Sequence, residues 1–267
     1  MKKLNVRPVY SIGDAHFIVD IDKQVLREIL HPENEISFIR DMTDKQTYYE
    51  LRYDPKIRNA ARDDESQAEV RLIKVPQLTE LDPVNMAEKY GCLAAALTDK
   101  SDFEVMVDQE ALSLRHNGRL PRIDIMGEQF VIDLRMQELR HAENFYPVLS
   151  LRSFELTSDG WHYEAFYEPL LKQVVEIDPK LIEFPGYIVK IKIPNEIGLD
   201  PVATARQYDM NERELLRRYP IQKELKAEVI PLSETQVPRL IQHNRAALLE
   251  EHRAIARQIK PRHRPKF

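Results

Sequence analysis

A chain of 267 residues, 43% hydrophobic and 31% charged, can hold one large or two ordinary domains and is not a globally disordered polypeptide. Its net charge of −5 gives the whole molecule no attraction for polyanions, and a single cysteine, Cys92, excludes an internal disulfide and a cysteine-built metal centre. No window approaches the roughly 18 apolar residues of a membrane span, and the Met1–Pro8 start lacks the apolar run of a signal peptide, so the cytoplasm is the expected compartment.

In chain order, Val6–Ile12 and Phe17–Ile21 read as two strands joined by a turn at Gly13-Asp14. Asp22 is placed to cap a short helix running to Leu30. Ile36–Ile39 and Tyr48–Tyr53 read as a second hairpin, closed by Asp54-Pro55. A wet loop around Asp63-Asp64-Glu65-Ser66 follows, then an alternating strand over Ala68–Val75. Leu81-Asp82-Pro83-Val84 then opens a helix: Asp82 caps it, Pro83 fills the first position and Gly91 stops it.

The same order recurs. Leu120–Met126 and Phe130–Leu134 flank Gly127-Glu128, and Val148–Leu156 leads through Ser158-Asp159-Gly160 to Trp161–Tyr167 and Glu168-Pro169. Tyr187–Ile193 alternates, and Leu199-Asp200-Pro201-Val202 repeats the capped helix, with Asp200 and Pro201 in the roles of Asp82 and Pro83. The two openings share L-D-P-V-x-x-A-x-x-Y, ending at Tyr90 and Tyr208. The fold class expected is therefore α+β: a tandem duplication of an antiparallel-sheet unit with a short closing helix, plus a C-terminal helical extension. The first unit is drawn at residues 1–100, a linker with a strand at Phe103–Val107 at 101–119, the second unit at 120–220 and the extension at 221–267. In the extension, Ser233 and Gln236 are placed to begin a helix striped by Leu240, Ile241, Leu248, Ile255 and Ile259, which must be buried against something.

No sequence constellation demands chemistry. The glycine-rich phosphate loops, G-x-S-x-G and H-E-x-x-H are all missing, so no cofactor, metal or catalytic residue is expected. The duplication also doubles an acid, Asp20 and Asp133, in a way that resembles the halves of aspartic proteases; the small, hydroxyl and glycine residues that such a site needs after the acid are not there. The helices over 201–218 have the outline of a helix-turn-helix, with Arg213, Arg217 and Arg218 on the second. With Arg253, Arg257, Lys260, Arg262, Arg264 and Lys266 in a tail free of acids, these are the candidate nucleic-acid contacts. Tyr48, Tyr49, Trp161 and Tyr163 on the matching return strands are the candidate partner-binding surface.

The reading is a non-catalytic protein-binding or assembly module, joining a protein partner or a second copy through the C-terminal helix, with no membrane role. One rival is a nucleic-acid-associated protein using the 201–218 helices and basic tail. The other is an enzyme with a pocket in the second repeat around Arg135, His162 and Glu164.

Overall fold

The structure, a computed structural model, describes residues 7–62, 69–222 and 224–259, with side chains described as far as Ile255. The loop at Asp63–Ser66 and the basic residues Lys260, Arg262, Arg264 and Lys266 lie outside the described residues, as does the side chain of Arg257. The chain is α+β and divides into two compact units. Unit 1 combines Met1–Asn117 with Ala205–Gln222, and unit 2 combines Gly118–Thr204 with Lys223–Phe267.

In unit 1, β1 (Val9–Ile12), β2 (Ala15–Asp20), β3 (Val25–Glu28) and β4 (Glu35–Ser37) form one antiparallel meander. A second sheet is centred on β6 (Tyr48–Asp54), flanked on one side by β5 (Met42–Asp44) and β7 (Asn59–Ala60) and on the other by β8 (Arg71–Pro76). Phe17, Leu26, Ile36, Phe38, Tyr49 and Leu51 bury the inward faces of both sheets in one core. Next come α1 (Leu78–Leu81), α2 (Pro83–Tyr90), α3 (Asp102–Met106) and α4 (Gln109–His116).

Unit 2 repeats this plan with β9 (Arg122–Ile125), β10 (Glu128–Asp133), β11 (Glu138–His141) and β12 (Val148–Ser150). Its second sheet has β14 (His162–Glu168) between β13 (Glu155–Leu156) with β15 (Gln173–Val175) and, on the other side, β16 (Val189–Pro194). Pairing registers repeat residue for residue: Phe17 opposes Glu28 and Asp20 opposes Val25, as Phe130 opposes His141 and Asp133 opposes Glu138. The left-handed backbone of Gln24 recurs at Gln137, and that of Arg58 at Lys172. A one-residue slip would turn each core face to water, so a shared register means a shared core. The helices α5 (Glu196–Leu199) and α6 (Pro201–Gln207) close the pattern, and the division between units falls within α6. Asp82 and Asp200 each accept a backbone N–H of the first turn, from Asn85 and Ala203, as the L-D-P-V motif predicts.

Beyond the duplication stand α7 (Glu212–Arg218), which belongs to unit 1, and β17 (Leu225–Lys226), β18 (Glu228–Ile230) and α8 (Val237–Ile259), which belong to unit 2. Among the described residues, no helix is long and apolar enough to cross a membrane.

Four local expectations are corrected. Residues 22–30 form β3 and not a helix: Gln24 is left-handed, which ends any helix there, and Val25–Glu28 finds partners in both β2 and β4. Ile36–Ile39 and Val148–Leu156 are not single hairpin strands. Ile36–Ile39 holds the end of β4 and leaves its sheet before β5 opens in the other, and Val148–Leu156 runs from β12 of one sheet into β13 of the other. Phe103–Val107 is the helix α3, because Ser101 and Glu104 form a reciprocal capping box. The last helix starts at Val237 and not near Ser233. Pro238 lacks an N–H and clashes with the preceding turn anywhere but a helix start, and Thr235 supplies the oxygen that accepts the Val237 N–H.

Candidate functional site

The arginines of α7 all bond within unit 1, Arg217 buried and Arg218 still exposed. Asn211 caps the helix through the Glu214 N–H, which sets Arg213 and Arg217 one turn apart on the same face. The Arg213 guanidinium donates to Asp44 at 2.9 Å and stacks 4.2 Å above the Phe103 ring. Arg217 is buried, lies 4.7 Å above the Tyr49 ring and donates to the Phe38 carbonyl at 3.0 Å; Arg218 donates to the Ile39 carbonyl at 3.2 Å. Asp44 also lies 3.8 Å from Arg217. Arg217 is thereby removed from the candidate phosphate contacts, since a side chain only 3% exposed cannot reach a nucleic-acid backbone. Unit 2 differs at this place: Leu156, opposite Tyr163, stands where Asp44 stands opposite Tyr49.

Tyr49 is likewise removed from the contact surface, because it is fully buried. Its hydroxyl donates to Asp102, whose carboxylate also accepts the Leu78 and Thr79 N–H groups. Burial pushes the Tyr49 phenol far above its ordinary value, and the Asp102 charge adds to this. Burial also raises the Asp102 carboxyl, against the pull of its three donors. Tyr48, on the opposite face of β6, is half-buried beneath the Lys74 ammonium, 4.8 Å from its ring centre. In unit 2, Trp161 is exposed and Tyr163 is packed half-buried against the core.

The duplicated acids serve each unit separately. Asp20 is paired with Arg7 and Arg27, and Asp133 with Arg140, the counterpart of Arg27. Where the copies differ in chemistry, the position is the same: Glu28, bonded to Arg58 at 2.9 Å, is matched in unit 2 by His141 beside Glu128 and Lys172. Burial, with Glu128 nearby, pushes the Tyr167 phenol up to about 12. Glu164 pairs with Lys190, the His162 ring lies 3.9 Å from Asp159, and Arg135 is exposed. Of the residues suggested for a second-repeat pocket, Glu164 and His162 are thus tied to different partners.

Unit 1 also has a cleft of about 970 Å³ between the β5–β6 turn, α1 and α3, lined in part by Gln77, Thr79, Phe103 and Arg213. Gln77 is buried there; its carbonyl accepts the Asp102 N–H, which fixes the amide orientation and leaves the amide nitrogen without a partner.

The C-terminal helix is covered over part of its length. Val237 and Ile241 pack with Leu232 against Phe166, Ile177, Leu181 and Ile188 of unit 2. Asn244 donates to the Pro179 and Leu181 carbonyls at 2.8 and 2.9 Å, and Arg245 donates to the Ile182 carbonyl. Beyond that clamp the apolar row goes on uncovered: Leu248, Leu249 and Ile255 are 42%, 57% and 47% exposed. Ile182 and Phe184, near the clamp in sequence, are exposed too, and Arg253 is exposed on the same free stretch.

The chain matches no family model, no curated protein and no solved structure. The class defined by the fold is a tandemly duplicated α+β protein with a helical extension.

Proposed function

We propose that the chain is a non-catalytic protein-binding or assembly module that acts in the cytoplasm and engages a protein through the distal half of α8. The observation that carries this reading is the row Val237, Ile241, Leu248 and Ile255, buried at its start and open at its end on one helix. Isolated exposed leucines are ordinary on a protein surface, but a helical stripe that is half docked offers the helix-in-groove recognition mode. Helix propensity alone holds so short a free stretch only marginally, which favours a partner that packs on its apolar face.

The test is purification of the tagged full chain beside a Leu248→Glu/Ile255→Glu variant, with light scattering to fix mass. The wild type is expected as a complex or oligomer and the variant as a monomer with the same melting temperature. A wild-type chain that stays monomeric and partnerless at high concentration would sink the proposal. The nucleic-acid alternative rests on the basic tail, Arg253 and the exposed Arg218 of α7; it predicts that log affinity falls with log salt concentration at a slope of about one per phosphate contacted.

A further inference from the structure

The second unit contains strands that the first does not. The run Leu225–Ile230 extends both sheets of unit 2: β17 lies parallel to β9, and β18 lies antiparallel to β16, with Lys190 opposite Ile230, Ile191 opposite Val229 and Lys192 opposite Glu228. Its Leu225 and Ala227 are buried. Because the registers of the two units coincide, the matching edge positions of unit 1 are Leu72, Ile73 and Lys74 on β8, and Tyr10 and Ser11 on β1. Among the described residues β8 pairs only with β6, and β1 only with β2.

We propose that this open edge of unit 1 is a docking site for an extended segment of another protein, patterned like Leu225-Lys226-Ala227-Glu228-Val229-Ile230: an apolar and a small residue two apart at the buried positions, with an acid opposite Lys74. Two observations define the occupant. Ile191 is fully buried under β18, whereas its counterpart Ile73 is only half-buried and neighbouring Leu72 is 63% exposed. Lys192 pairs with Glu228 at 2.6 Å, whereas the equivalent Lys74 is exposed and, among the described residues, its ammonium contacts the Tyr48 ring and no carboxylate. A bare edge strand presents unpaired backbone groups that template one more strand, which is the physical basis of strand addition. The edge is partly capped, since the Tyr10 hydroxyl donates to the Lys74 carbonyl at 3.2 Å. That long, exposed bond exchanges readily for a backbone N–H of an incoming strand. This site is separate from α8, and either can fail without the other.

The probe is the labelled peptide of residues 225–230, acetylated and amidated, titrated into the full chain, whose own copy of the segment already fills unit 2. Saturable binding is expected, with new amide protection at Leu72–Lys74 by hydrogen exchange. A peptide N-methylated at two successive residues should bind at least tenfold more weakly, on the order of one lost strand hydrogen bond to a buried partner. Lys74→Glu should weaken the parent peptide about threefold, as for a partly exposed ion pair, and a peptide with Lys in place of the Glu should recover the loss. Tyr10→Phe should tighten binding. No saturation by about 1 mM, the weak limit of specific recognition, would overturn the proposal. So would binding indifferent to N-methylation, or protection confined to β16 of unit 2, which would mean exchange with the resident segment. Concentration-dependent protection of Leu72–Lys74 without peptide would overturn it in favour of a second copy.

Discussion

The Tyr49 hydroxyl lies 2.6 Å from a carboxylate oxygen of Asp102, with both residues fully buried in unit 1. Asp102→Ala would strand this donor and the Leu78 and Thr79 N–H groups together, at a cost of about 3 kcal/mol or more. Asp102→Asn should cost about 1–2 kcal/mol, since one of its two terminal atoms must then face a donor with a donor. Urea midpoints at pH 7 check the order. The sign of the pH effect follows from the raised carboxyl: its contribution is full below the ordinary aspartate value near about 4 and declines as pH rises through the folded-state value. Tyr49→Phe removes one donor from the carboxylate and should carry that decline to higher pH.

The duplicated ion pairs should respond unequally. Asp20 keeps Arg7 when Arg27 is removed, whereas Asp133 loses its paired guanidinium with Arg140 and retains the Met136 N–H. Arg27→Ala should therefore cost about 1 kcal/mol and Arg140→Ala about 2 kcal/mol, each below the loss for a fully buried pair. Burial would raise the Asp20 carboxyl, but the Lys23 N–H, Arg7 and Arg27 outweigh it and hold it below its ordinary value. Its stabilisation is present above about pH 4 and lost as pH falls through the lowered value. Acid titration of the Arg27→Ala chain should show a weaker dependence in that window; an unchanged curve would refute the pairing.

Asp44 fixes α7 to unit 1, so Asp44→Ala should cost about 3 kcal/mol by leaving two guanidinium groups without their carboxylate. Hydrogen exchange should localise the damage. Amides of 212–218 are expected to lose protection while β2 and β3 keep theirs.

Gly198 tests the limits of the repeat. A methyl group there would sit 2.6 Å from the Pro194 Cβ, so Gly198→Ala should destabilise by about 1–3 kcal/mol. Glu80, at the same place in the first copy, is exposed, and Glu80→Ala should shift the melting temperature very little.

The duplication and its caps were legible because they are local: Asp82 and Asp200 act on N–H groups three residues away, and a glycine turn needs only its own backbone. Alternation likewise located β6, β8, β14 and β16. What resisted reading depends on distant partners. Nothing near Val148–Leu156 says that Ser150 pairs in one sheet and Glu155 in another. The apolar spacing of Ile21, Val25 and Ile29 suits a helix, and only strands on both sides make β3 preferable. The capping box at Ser101 and Glu104 is local, but it competes with the strand-like spacing of Phe103 and Val105. Arg217 reads as a surface cation until Tyr49 and Asp44, far away in sequence, are brought against it. The stripe of α8 reads as one that must be buried along its whole length, but where the cover stops is set by Asn244 and its carbonyl partners.

The place of α7 has a consequence for synthesis. Since Ala205–Gln222 belongs to unit 1, the first copy to leave the ribosome emerges without the helix that neutralises Asp44 and covers Tyr49. At about 5–20 residues per second, the wait for that helix is on the order of ten seconds. A fragment cut after Asn117 would be held permanently at that stage, with a buried acid laid open. The two copies are adjacent in the gene, yet the earlier one is complete only after nearly the whole of the later repeat has been made.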